Sequence, residues 1–201
     1  MPSIYQLKPH FQNLLRPLVR AMGGAGITAN QITLAACALS VAIGILLTVR
    51  VESRTLFLIL PAFLFVRMAM NAMDGMMARE LGQKTDLGAY LNELTDVVSD
   101  SFLYLPFAYL PDFDPLWIGV VIVLSVISEM TGVVAAATGA GRRYDGPMGK
   151  SDRAFAFGAA GLWIGLGLNV PPWAGWVFPR LLAVLVAATI VNRVRGGLAN
   201  R

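Results

Sequence analysis

The chain has 201 residues, 56% of them hydrophobic and only 14% charged, with a formal net charge of +4. A soluble domain of this size carries about a quarter charged residues, and the apolar residues here run in long blocks, so the composition excludes an ordinary water-soluble globule and indicates a membrane protein. A lone cysteine, Cys37, sits inside an apolar run; that excludes a disulfide framework and suits a small packing residue.

The first element expected is a surface helix over about residues 4–22. Ile4, Leu7, Phe11, Leu14, Leu15, Leu18 and Val19 gather on one helical face, with Lys8, His10, Arg16 and Arg20 between them. This is the pattern of an amphipathic helix lying on a membrane, its basic side toward lipid headgroups. The basic and proline interruptions do not match a cleaved signal peptide. His10 has no Cys or second His near it and reads as a surface residue.

Six apolar spans follow, over about 32–49, 55–73, 88–110, 115–139, 153–169 and 176–194. Turn or charged chemistry separates them, including Arg50 to Arg54, Arg79 to Asp86, Pro111 to Pro115, Gly139 to Asp152 and Pro171-Pro172. The fold class expected is therefore all-α: a polytopic bundle of six transmembrane helices preceded by an interfacial helix, in one domain over residues 1–201. Twelve Lys and Arg residues lie at the N-terminus, the second and fourth breaks and the C-terminus, against Arg50, Arg54 and Arg180 opposite. Positive charge favours the cytoplasmic side, which puts both termini and the basic loops in the cytoplasm. Basic residues confined to span ends give no reason to expect a nucleic-acid partner.

Polar residues inside the second and third spans are costly in a bilayer, by about 2.5–3.5 kcal/mol for a central carboxylate. Arg67, Asn71 and Asp74 share one helical face, and Asn92, Asp96 and Asp100 recur every fourth residue, with Glu93 beside them. Asn71 or Asn92 alone would serve equally well in an interhelical hydrogen bond; the whole set points to a polar cavity and a site. Carboxylate and amide oxygens without thiols or imidazoles suit hard cations such as Mg²⁺ or Mn²⁺, the usual partners of diphosphates. A carboxylate can also accept the proton of an attacking hydroxyl. Between the two spans, Gly75 allows close approach of a ligand, Arg79 offers a forked phosphate donor and Thr85 a hydroxyl.

Residues 71 to 96 read Asn71-x2-Asp74-Gly75-x2-Ala78-Arg79-x8-Gly88-x3-Asn92-x3-Asp96. This resembles the D-x2-D-G-x2-A-R-x8-G-x3-D-x3-D signature of the CDP-alcohol phosphotransferase family, and the spacing agrees throughout. Thr28-Ala29-Asn30-Gln31-Ile32-Thr33 resembles the T-P-N-x-L-T stretch that opens the family's first span. The resemblance, to a bacterial inner-membrane branch, implies transfer of a substituted phosphate group to an acceptor alcohol. The donor would be CDP-diacylglycerol or a similar CDP-alcohol, its diphosphate bridged by Mg²⁺ or Mn²⁺, and CMP would be released in phospholipid synthesis. Carried over by position, Asp96 is the general base. Asn71, Asp74, Asn92 and Asp96 are the metal positions, with Asp100 a replacement ligand. Asn30, Gln31, Ile32, Thr33, Asn71, Asp74, Gly75, Arg79 and Thr85 bind the CDP donor. Ala78 and Gly88 are close-packing positions.

Two departures stand out. Asn71 and Asn92 replace aspartates, which removes two negative charges and leaves one ion or two open. Asp100 and Glu93 are candidates to restore charge, and Arg67 to supply a fixed cation. A catalytically inactive member is one alternative, and an ion-coupled transporter another. The transporter lacks the inverted repeats or broken helices such proteins often show. An intramembrane aspartyl hydrolase has only paired aspartates in its favour.

The fourth break is basic and glycine-rich. Lys150, Arg153 and, beyond it, Arg193 are candidate acceptor-binding residues, although loops of this kind are also basic for orientation alone. Asp152 would neutralise part of this patch, so phosphorylated and unphosphorylated acceptors both remain open. Glu129, inside the fourth span, requires a partner that spacing does not identify. Small residues such as Gly132, Ala136, Gly158 and Gly161 permit close helix contact, and the resemblance implies a homodimer. Trp173 and Trp176 read as interface anchors.

Overall fold

The computed structural model describes residues 4–199, with side chains from His10 onward. Arg201 and the side chains of Ile4, Leu7, Lys8 and Pro9 lie outside the described residues. Among the described residues seven α-helices are present: α1 (Ile4–Gly24), α2 (Ala29–Val49), α3 (Ile59–Glu80), α4 (Asp86–Tyr104), α5 (Pro115–Ala137), α6 (Lys150–Gly165) and α7 (Pro172–Ala199). Short 3-10 helices over Arg54–Leu58 and Leu105–Tyr109 lead into α3 and out of α4, and the described residues include no strand.

Among the described residues four segments are long and apolar enough to cross a membrane: Ala29–Val49, Arg54–Glu80, Pro115–Ala137 and Pro172–Ala199. The expected count of six is thus met by four on length and apolarity. α4 falls outside this set because its face carries Asn92, Glu93, Asp96 and Asp100, and α6 because it has only 16 residues.

Helix ends explain how the polar residues come together. Thr28 caps α2 in a reciprocal box: Gln31 N–H donates to Thr28 Oγ1 at 3.3 Å and Thr28 N–H to Gln31 Oε1 at 2.9 Å. Ala29 N–H donates to Gln83 Oε1 at 2.7 Å, tying the start of α2 to the turn between α3 and α4. In that turn Gly82 takes a positive φ of 68°, a left-handed step that glycine adopts without a Cβ clash. Thr85 then caps α4 by accepting from Gly88 N–H at 2.9 Å.

Two boundaries differ from the sequence expectation. α3 does not end near residue 73 but runs to Glu80, because Met76, Met77, Ala78 and Arg79 are good helix formers. Gly75 and Arg79 therefore sit on the last turns of α3 and not in a connecting segment. α4 stops at Tyr104, where Pro106 cannot supply a helical N–H.

α1 packs on α3 through Val19, with Leu15 and Met22 against Met73, Met76 and Met77. Arg16 clamps Glu80 through two bonds, at 3.0 and 3.1 Å. The main core lies toward the other end of the bundle. There Tyr104 stacks on Phe157 at 4.0 Å, and Phe107, Phe113 and Phe178 surround the pair edge-on or tilted. At that end Arg54 pairs with Asp112 at 2.6 Å. Arg180 pairs with Asp114 at 2.8 Å and lies over the Trp176 ring at 4.3 Å. α2 packs along α4 so closely that a Cβ at Gly44 would collide with the Phe102 carbonyl.

Candidate functional site: a polar cleft backed by a buried ion network

A cleft of about 440 Å³ opens between the N-terminus of α2, the C-terminal turns of α3 and the first turns of α4. Asn30, Thr33, Asp74, Gly75, Ala78, Arg79, Thr85, Gly88 and Asn92 all line it. Residues 41 to 62 apart in sequence thus share one cavity, because the capped turn folds α4 back beside α3 while α2 closes the side. Thr33 Oγ1 donates to Asp74 Oδ2 at 2.7 Å, which fixes that buried carboxylate and leaves its other oxygen available. Arg79 is exposed at the mouth and forms no ion pair among the described residues, so its guanidinium is open to an anion. A Cβ on Gly88 would come 2.8 Å from Asn30 Oδ1 and 3.0 Å from Thr85 Oγ1, so glycine there lets α4 approach both polar groups.

Asp96 lies one turn beyond Asn92 on α4, with its side chain 20% exposed. Its Oδ1 accepts from Asn71 Nδ2 and Arg67 Nη2, each at 3.3 Å, and contacts Lys150 Nζ at the start of α6. Asp100 does not line the cleft. It is 4% exposed and is held by Arg67 at 2.6 Å and Arg153 at 3.4 Å. The network continues through Glu129 on α5, which pairs with Arg153 at 2.9 Å, Arg142 at 3.1 Å and Arg193 at 3.5 Å. Arg142 also contacts Glu93 on the cleft wall.

Not every residue expected at the site reaches it. Gln31 is engaged in the α2 cap, and Ile32 is 3% exposed within the cluster under α1. Arg153 and Arg193 are 0% and 2% exposed, in the bundle beside the cleft rather than on its wall. Asp152 caps α6 by accepting from Gly149 N–H at 2.9 Å, and among the described residues Lys150 pairs with Asp96 and Arg153 with Asp100 and Glu129 instead. Three polar cleft residues were not expected there from the sequence, Gln83, Lys84 and Arg142. Gln83 carried no signal, and Arg142 was one of several basic loop residues. Outside the helices, the Arg143 guanidinium beside Asp145 holds that carboxyl below the usual range.

The profile of the CDP-alcohol phosphatidyltransferase family matches residues 26–191. The chain belongs to this family. It is 44% identical over 198 residues to inner membrane protein YnbA of Escherichia coli, covering 98% of this chain and 96% of that protein. It is 28% identical over 204 residues to the phosphatidylinositol phosphate synthase of Mycolicibacterium smegmatis, covering 96% and 88%. The fold matches crystal structures of Mycobacterium tuberculosis phosphatidylinositol phosphate synthase. One, with CDP-DAG bound, has a TM-score of 0.75 at 23% identity, covering 90% of this chain and 92% of that one. Another, with manganese and citrate, has a TM-score of 0.75 at 24% identity, covering 90% and 88%.

The oxygen donors at the cleft are of the type a hard divalent cation takes. Asp74 offers a carboxylate and Asn92 an amide oxygen on the cleft wall, Asp96 and Asn71 bond to each other about a helical turn away, and no thiol or imidazole lines the cleft. Among the described residues no three His, Cys, Asp or Glu side chains converge.

Proposed function

We propose that the chain transfers a phosphatidyl group from CDP-diacylglycerol or a closely similar CDP-alcohol to an acceptor alcohol, releasing CMP. The observation that carries this is the cleft itself, where the α3 and α4 motif residues meet Asn30 and Thr33 of α2. Arg79 and Lys84 on the cleft wall, glycines at the close-approach positions and carboxylates behind them suit a diphosphate. Arg79, Thr85 and Asn30 hold the nucleotide diphosphate, with Gly75 leaving room for it. Asp74, Asp96, Asn71 and Asn92 hold one Mg²⁺ or Mn²⁺, which when bound supplies charge neutralisation for the diphosphate. Manganese in the mycobacterial relative accords with that assignment.

Asp96 is the proposed general base. The acceptor oxygen bonds to the phosphorus on the lipid side of the diphosphate as its proton passes to Asp96. The bond from that phosphorus to the bridging oxygen breaks, and CMP leaves with both electrons. Arg67, Lys150 and Asn71 keep the Asp96 carboxylate aimed. Asp100 acts as counter-ion to Arg67 and Arg153, not as a metal ligand.

The chain is proposed to act as one domain in a bacterial inner membrane, as the name of the YnbA relative suggests. α4 and α6 cross alongside the four apolar segments, shielding their polar faces inside the bundle, and α1 lies in the interface. Both termini and the cleft face the cytoplasm, where the basic residues concentrate. A homodimer formed through small-residue faces completes the proposal. The test is to incubate purified protein in lipid nanodiscs with CDP-diacylglycerol, Mg²⁺ or Mn²⁺ and a panel of alcohols. CMP release that a chelator abolishes is expected; no release with any alcohol would sink the proposal.

A further inference from the structure

Two of the four motif positions on α3 and α4 carry no charge, since Asn71 and Asn92 stand beside Asp74 and Asp96. Two cations meet the last of these carboxylates. Arg67 Nη2 reaches Asp96 Oδ1 at 3.3 Å, and Lys150 Nζ contacts the same oxygen. Arg67 is anchored there: its side chain is 4% exposed and is held a second time by Asp100 at 2.6 Å. Lys150 comes from the first position of α6, a separate helix.

Local helix chemistry does not account for that lysine. The start of a helix carries positive partial charge, which favours carboxylates and disfavours cations. Asp152 in the same turn obeys this rule and caps α6 through Gly149 N–H. Lys150 breaks it, and its ion-pair partner among the described residues is Asp96 on α4. Lys150 is also close enough to act on Asp74, the carboxylate on the cleft wall. A long-range contact therefore places an ammonium against the motif.

The effect on a divalent cation follows from Coulomb's law. Asp96 already faces two positive charges, which leaves Asp74 as the motif carboxylate without an ion pair among the described residues. A divalent cation beside Asp74 and Asn92 is attracted by that one carboxylate and repelled by the nearby ammonium. A donor diphosphate changes the balance, because each of its phosphates is ionised at neutral pH. Cation and diphosphate then each stabilise the other in the cleft.

We infer that Lys150 makes divalent-cation binding depend on the donor: the cation binds weakly to the cleft alone and tightly once a diphosphate has brought negative charge into it. This rests on the transferase function proposed above, since the diphosphate donor is that reaction's substrate. It adds an order of loading to that reaction and names the residue that imposes it.

The test is Mn²⁺ binding to the full-length protein in nanodiscs, read from the paramagnetic resonance of free Mn²⁺ with no acceptor alcohol present. Discs are made with and without CDP-diacylglycerol, and protein-free discs of the same composition give the background for each. Wild type is expected to bind Mn²⁺ at least about tenfold more tightly with the donor than without it. Lys150→Met keeps the stem and removes the charge. Without donor it is expected to bind Mn²⁺ at least about tenfold more tightly than wild type, and the gain from adding donor to shrink. Lys150→Arg keeps the charge and should behave as wild type. Loss of a lysine that only braced the fold would loosen the site, so tightening reports on charge. Equal wild-type affinity with and without donor overturns the inference, as does a folded Lys150→Met that binds Mn²⁺ no more tightly than wild type. If Lys150→Met does not fold, Lys150→Gln takes its place under the same criteria. CMP release tests the transferase separately. Its absence with every alcohol sinks that function, while the donor-free comparison of wild type with Lys150→Met still decides whether the lysine opposes the cation.

Discussion

Asp100→Asn removes one buried charge while keeping nearly the same shape. Asp100 is 4% exposed and accepts from Arg67 at 2.6 Å and from Arg153 at 3.4 Å. An asparagine keeps one acceptor oxygen, but its amide can only donate, so one guanidinium faces a donor where an acceptor had been. Breaking a buried ion pair from one side costs about 3–5 kcal/mol, because the remaining charge is left uncompensated. Here Arg67 keeps Asp96 at 3.3 Å and Arg153 keeps Glu129 at 2.9 Å, so the lower end applies, about 3 kcal/mol. For a chain of this length that is a fall in unfolding midpoint of about 6–12 °C. The assay is helical circular dichroism against temperature in detergent, repeated in an Arg67→Met background. If the two groups act on each other, the double variant loses less than the sum of the singles, by about 1–3 kcal/mol. A midpoint change equivalent to less than about 0.5 kcal/mol, the scale of an ordinary surface substitution, would refute the counter-ion role. Unchanged stability together with weaker Mn²⁺ binding would instead make Asp100 a metal ligand.

Four further outcomes follow from the cleft and its walls. Asp96→Asn should lower CMP release by about 10²–10⁴-fold while CDP-diacylglycerol binding, measured by ligand competition, stays within a few-fold. Arg79→Ala removes a charge-assisted contact to the diphosphate and should raise the KM for CDP-diacylglycerol by about 10–100-fold in a CMP-release assay. Asn92→Asp places a second carboxylate beside Asp74 on the cleft wall and should tighten Mn²⁺ binding at least about tenfold, read from the paramagnetic resonance of free Mn²⁺. Gly44→Ala drives a methyl group into the Phe102 carbonyl where α2 meets α4 and should destabilise the fold by about 1–3 kcal/mol without changing KM, measured by thermal unfolding and steady-state kinetics.

The fold was most legible where one physical cause dominates. Long apolar runs located α2, α5 and α7, and proline or capping residues marked several boundaries, such as Pro115 after the Asp114 cap. Legibility failed where a helix is polar for functional reasons. The apolar run over 55–73 stopped short of Asp74, yet α3 continues to Glu80, because helix propensity and packing against α1 sustain it once apolarity fails. The motif spacing brought Asp74, Gly75, Arg79, Gly88 and Asn92 to one cleft because i, i+4 intervals survive in any straight helix. Gln31 and Ile32 lay next to the right residues but on other faces of α2, one in the cap and one in the core.

What spacing could not reveal was partnership. Glu129 meets Arg142, Arg153 and Arg193 at separations of 13, 24 and 64 residues, set by the way α6 and α7 dock on α5. In sequence those arginines look like free positive charge at the cytoplasmic ends of helices, suited both to orienting the chain and to binding a phosphate. In the fold, four carboxylates on α4 and α5 hold the five cations of the bundle beside the cleft, whereas Arg79 at its mouth forms no ion pair among the described residues. That asymmetry separates the mouth of the cleft from the bundle behind it. Unpaired positive charge faces the side that would hold the donor diphosphate, and an ion network with one cation in excess lies behind it.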